Sequence, residues 1–162
     1  MNADLLEHPE QLQRGYATAT PAARLRAIKQ RLAAAHNEMG STRLVTVVSG
    51  VEALARSLVV HAPGRPASTA EMRHRQFRAT GPVQLVEEAL ALRGGGRPEA
   101  TFGEENWDFF QVAVRYRDLI VHECTVVGQD RHPTLIAATE SVLRGLVEVA
   151  GLESGPKVVV GA

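Results

Sequence analysis

Cysteine is nearly missing from the chain, and the lone Cys124 excludes an internal disulfide and a thiolate metal site. There is no excess of charge of either sign: 18 basic and 18 acidic residues give a formal net charge of zero. A protein that grips polyanions through its overall charge is therefore excluded, and any nucleic-acid contact has to be local. Lysine is scarce too, since all but Lys29 and Lys157 of the basic residues are arginine. That bias suits bidentate phosphate contact, although a GC-rich genome gives the same bias and is the weightier explanation. No apolar run approaches the length that crosses a bilayer. Residues 1–10 lack the basic and apolar regions of a secretory signal, so a soluble cytoplasmic protein with no membrane contact is expected.

What is present is globular. Hydrophobic residues make up 44% of 162 and charged residues 22%, enough for one domain with a full core and too little chain for two. The expected division is an N-terminal arm over 1–19, a helical bundle over 20–152 and a loose tail over 153–162. Residues 1–14 read equally as a short helix or a loosely attached arm.

Helical signals recur through the rest. Thr20-Pro21 supplies an N-cap and a first-turn proline, and Leu25, Ile28, Leu32 and Ala35 follow at helical spacing up to Gly40. From Ser41, Leu44, Val47, Val48, Val51, Leu54 and Leu58 cover more than one face, as in a helix at the centre of a bundle. Leu44 to Val48 is β-branched enough to pass for a strand, but Glu52-Ala53-Leu54-Ala55-Arg56 restores helix formers. Pro63, Gly64 and Pro66 mark a loop. Ser68 to Glu71 and Thr101 to Glu104 each match a capping box, in which a hydroxyl and a carboxylate satisfy free backbone donors. Pro82 opens a helix that Gly94-Gly95-Gly96 closes. The longest amphipathic run, through Trp107, Phe110, Val114 and Val121, is broken at Gly128, and a last helix starts at Pro133. The expected fold is all-α, a bundle of four or five main helices.

Within that longest run lies Arg115-Tyr116-Arg117-Asp118-Leu119-Ile120-Val121-His122-Glu123-Cys124. Cleaving RNA without a metal needs a base for the ribose 2′-hydroxyl, an acid for the leaving oxygen and fixed positive charge at the phosphorane. A histidine titrating near neutrality and an arginine that stays charged form the smallest set that supplies these. Arg117-Asp118-x3-His122 resembles the R-[N/D/H]-x3-H signature of HEPN domains, a superfamily of metal-independent endoribonucleases and of relatives that only bind nucleotides or partners. The resemblance covers about residues 41–151, and residues 107–124 carry nearly all of its specificity.

The resemblance implies Arg117 and His122 as catalytic residues with Asp118 beside them, a symmetric homodimer whose two motifs face one cleft, and single-stranded or loop RNA as substrate. It also implies a toxin or phage-defence setting with an antitoxin or defence-system partner, and no cofactor or metal. Helix geometry agrees with the dimer: five residues at about 100° each put His122 about 140° around from Arg117, so one straight helix does not converge them. Asp118 and His122, four apart, share a face, and an aspartate there can orient the imidazole. Arg115 and Glu123 flank the motif as candidate substrate contacts. Glu52 is placed by the resemblance near the motif arginine. Arg73 and Arg75 belong to the densest basic cluster, Arg73, His74, Arg75 and Arg78, which could steer RNA.

One departure is Cys124, which stands where toxins of this superfamily often carry a tyrosine; a buried, small apolar role is expected for it. Alternatives for the motif are a solvated helix surface with ordinary ion pairs, or a silent HEPN-like domain that senses nucleotides or binds partners. Zinc-protease chemistry fails because Val126 occupies the place of the second histidine, and Gly94-Gly95-Gly96-Arg97 lacks the residues of a phosphate loop.

Overall fold

The computed structural model describes residues 4–126 and 128–152, with side chains from residue 9, and among these there is no strand. Eight α-helices follow one another: α1 Asp4–Thr18, α2 Pro21–Ala34, α3 Gly40–Val60, α4 Ala70–Phe77, α5 Pro82–Leu92, α6 Pro98–Phe102, α7 Glu104–His122 and α8 His132–Val149. The all-α expectation holds, and the principal elements α2, α3, α5, α7 and α8 are the five helices that the hydrophobic spacing marks. The tail expected over 153–162 lies outside the described residues.

The centre of the bundle is α3. Leu44, Val47, Val48, Val51, Leu54, Ala55 and Leu58 are fully buried, because α2, α5, α7 and α8 cover this helix from several sides. A helix that is apolar nearly all round has to be enclosed, which is why its β-branched start does not become a strand. Small residues set the close approaches: a Cβ on Gly145 of α8 would lie 2.5 Å from the Phe102 ring. That ring stacks on Trp107 at 5.9 Å, and Trp107 lies 5.5 Å from Phe110, which anchors the start of α7.

The end of α3 is closed by long-range arginines. Arg93 Nη2 donates to the carbonyls of Leu58 and His61 at 3.3 and 3.2 Å, and Arg73 Nε donates to that of Val60 at 2.6 Å. These carbonyls have no partner within the helix, and cations suit the negative end of the helix dipole.

Caps divide into one that forms and two that do not. Thr20 Oγ1 accepts from the backbone N–H of Ala23 at 3.2 Å, as the Thr20-Pro21 start predicts. Neither expected capping box closes. Residues 67–69 form a 3-10 turn before α4, and Thr69 Oγ1 donates to the Pro66 carbonyl at 3.1 Å while accepting from Arg73. Thr101 Oγ1 donates to the Gly95 carbonyl at 2.6 Å from inside α6, and α7 starts at Gly103 with φ 88° and no side-chain cap. Before α4 the 3-10 turn takes Ser68 away from the helix boundary, and at Thr101 the hydroxyl is drawn to a nearer carbonyl than the boundary the pattern assumes. Over 1–14 helix and loose arm were both open; α1 is a helix from Asp4 to Thr18 that lies against α4 and buries Ala17. No helix among the described residues is long and apolar enough to cross a membrane.

Candidate functional site

The first half of α7 is fastened to the core by Trp107, Phe110, Ala113 and Val114, all buried. Beyond Val114 the helix emerges. Arg115 is exposed, Leu119 and Val121 are 44% and 53% exposed, and His122, Glu123 and Cys124 are exposed. The helix ends at His122, with the backbone N–H of Glu123 closing the last turn on Leu119 at 2.9 Å. Termination comes well before Gly128, the break read from the sequence. Cys124 at φ 47° turns the chain instead. Its thiol is exposed, so the buried apolar role expected for Cys124 is wrong: the turn carries it off the helix before any neighbour covers it.

Arg117 points back into the bundle, its side chain only 14% exposed. Nη1 donates to Glu52 Oε2 at 2.7 Å, and Nε donates to Asp118 Oδ1 at 2.9 Å. The expected pairing of Glu52 with the motif arginine is therefore present. Glu52 Oε1 also accepts from Arg56 Nη2 at 2.9 Å, and Arg56 Nε donates to the Phe77 carbonyl at 3.3 Å. A chain of charge-assisted bonds thus runs Asp118, Arg117, Glu52, Arg56 and on to the end of α4. Burial pushes the Glu52 carboxyl up, but hydrogen bonds and charge from Arg117 and Arg56 outweigh it and hold the group below its ordinary value.

Asp118 does not orient His122. Among the described residues the imidazole has no hydrogen bond or ion pair, and the aspartate serves Arg117. A largely buried guanidinium loses more by lacking an acceptor than an imidazole that water can reach. Arg115 is likewise without a partner among the described residues.

The basic cluster on α4 separates into unlike members. Arg73 is structural: besides Val60 it donates to the Pro66 carbonyl at 2.8 Å and to Thr69, so its expected role in steering RNA is withdrawn. Its partners are carbonyls left open by a helix end and a loop, which no local pattern reveals. Arg75 is exposed and paired with Glu71 at 3.1 Å, one turn away. No hydrogen bond or ion pair joins α4's basic side chains to residues 115–123; α4 lies against α1 and α3. The sequence reading missed Arg56, although its place four residues after Glu52 on one helix face was the available signal.

Comparisons with protein-family models, with curated proteins and with solved structures return no match. Among the described residues no group of three or more His, Cys, Asp or Glu side chains is placed to hold a metal ion.

Proposed function

We propose that the chain is a metal-independent endoribonuclease of HEPN type that acts as a homodimer on single-stranded or loop RNA, in the cytoplasm, in a toxin or phage-defence setting. The observation that carries the reading is the contrast at the end of α7: Arg117 is fixed from behind by Glu52, while His122 stands exposed with no partner among the described residues. The uncovered Leu119 and Val121 support a second copy meeting this end of the helix.

In this reading the His122 imidazole takes the proton of a ribose 2′-hydroxyl, and the freed oxygen attacks the adjacent phosphorus. The bond to the 5′-oxygen breaks, and that oxygen is protonated by the imidazolium of the second copy, which becomes neutral. The products carry a 2′,3′-cyclic phosphate and a 5′-hydroxyl. Arg117 uses Nη1 and Nε for positioning, which leaves Nη2 to meet the charge that builds on the phosphorane. Arg115, on nearly the face of His122, contacts a neighbouring phosphate.

The test is incubation of the purified protein with single-stranded RNA in EDTA and assignment of the new ends. Cyclic phosphate ends made in EDTA are expected; cleavage that needs a divalent metal contradicts the mechanism.

A second reading, a silent HEPN-like domain that senses nucleotides or binds a partner, is favoured by one observation. Arg117 is held by two carboxylates, and Asp118 is thereby turned from the imidazole. Stabilisation by a mononucleotide without any RNA cleavage would select it.

A further inference from the structure

On the side of the bundle where α1, α2 and α4 meet α3, a small cavity of about 30 Å³ is lined by Tyr16, Arg24, Ala53, Arg56, Ser57 and His74. Ser57 is 7% exposed, and its hydroxyl is buried without a hydrogen-bond partner. Burying a hydroxyl unsatisfied is unfavourable, and such groups in native proteins commonly await a ligand or water. Arg24 is the second anomaly. Its guanidinium lies over the Tyr16 ring at 4.5 Å, half-buried, yet no carboxylate or carbonyl among the described residues accepts from it. Burial lowers its pKa; Tyr16 opposes this and Arg56 adds to it.

The surroundings are positive. Burial first, then the charges of Arg56, Arg24 and Arg78, depress the pKa of His74. The carboxylate bonded to one of these cations is Glu52, which Arg56 shares with Arg117. At His74 the cavity adjoins a cleft of about 270 Å³ between α1 and α4, with Arg14, Arg75 and Arg78 at its walls. Glu10 and Glu71 also line that cleft, and Glu71 is bonded to Arg75 at 3.1 Å and lies 3.8 Å from Arg14.

We propose that this cavity is an anion site for a phosphoryl group, with Arg24, Arg56, His74 and Ser57 as its contacts. The group belongs to free phosphate or to a small phosphomonoester. A volume of about 30 Å³ takes two or three oxygens of such a group and no aromatic ring, since about 10–15 Å³ is needed per water-sized occupant. The remainder of an ester extends into the α1–α4 cleft. A water could satisfy Ser57 but not the charge of Arg24; a phosphoryl oxygen does both. Arg56 of this site is bridged through Glu52 to Arg117, but the inference does not depend on the ribonuclease reading.

The test is thermal unfolding of the full chain as sodium chloride is exchanged for sodium phosphate at constant ionic strength. A saturable rise in Tm is expected, about 3 °C at ten times the midpoint concentration. Arg24→Gln removes the rise, which places the site here and not at Arg115 or Arg117. Ser57→Ala is the control for folding: it is at least as stable as the parent in chloride, because it deletes the unsatisfied hydroxyl, and its phosphate midpoint moves up about tenfold. Adenosine 5′-monophosphate acting well below the phosphate midpoint identifies an ester, and acting at or above it identifies the free ion. No saturable rise, or a rise undiminished in Arg24→Gln or with an unmoved midpoint in Ser57→Ala, overturns the proposal.

Discussion

The two halves of α7 share one continuous helix but differ in how much of it is covered. From Trp107 to Val114 the apolar stripe faces α3 and α8 and is buried. From Arg115 to His122 Leu119 and Val121 face outward, while Tyr116 and Ile120, only partly buried, still pack against the core and Arg117 is bonded to Glu52. The difference teaches that packing fastens the helix fully at one end and along one face at the other, where a charge pair fixes the guanidinium beside the exposed side chains. A rigid scaffold carrying an exposed end is the arrangement that positions reactive groups.

The contrast can be broken from its buried end first. Phe110→Ala should cost about 3–5 kcal/mol in denaturant unfolding, through lost burial and the cavity left beside Trp107. A loss below about 1 kcal/mol would mean that α7 is not fastened there. Next comes Glu52→Gln, which leaves Arg117 without its carboxylate and should cost about 2–3 kcal/mol at neutral pH. The folded pKa of Glu52 is lowered, so its contribution is complete above the ordinary carboxylate range and is lost as pH falls through the folded value. The gap between the parent and Glu52→Gln should therefore narrow on acidification below about pH 4.5.

Smaller effects on stability sharpen the other end. Leu119→Asp should change monomer stability by only about 0.5 kcal/mol while shifting the sedimenting species from dimer to monomer. An unchanged sedimentation profile would remove this face from the proposed dimer. Smallest of all, His122→Ala should leave Tm within about 1 °C, since among the described residues the ring makes no bond.

How much of this could be read from residues alone follows the range of the interactions. Thr20-Pro21 and the all-round apolarity of residues 44–58 act within a few residues or along one helix, and both were legible. The capping patterns at Ser68 and Thr101 misled because Ser68 lies inside a 3-10 turn instead of at the helix boundary, and the Gly95 carbonyl competes for the Thr101 hydroxyl. Arg93 reaches back 32 and 35 residues to close α3, and nothing local to Arg93 announces that. At the candidate site the pairing of Glu52 with Arg117 was anticipated, whereas the partner of Asp118 was not. Burial of the neighbouring guanidinium decided that partner, and burial is a property of the assembled bundle.

The most direct measurement is cleavage of a single-stranded RNA in EDTA by the parent and by His122→Ala at matched folded concentration. The expected result is cyclic phosphate ends from the parent and a rate at least about a hundredfold lower from His122→Ala with its Tm preserved. Equal cleavage by both proteins, or none by a parent shown to be dimeric, would contradict the assignment of this helix end as a ribonuclease site.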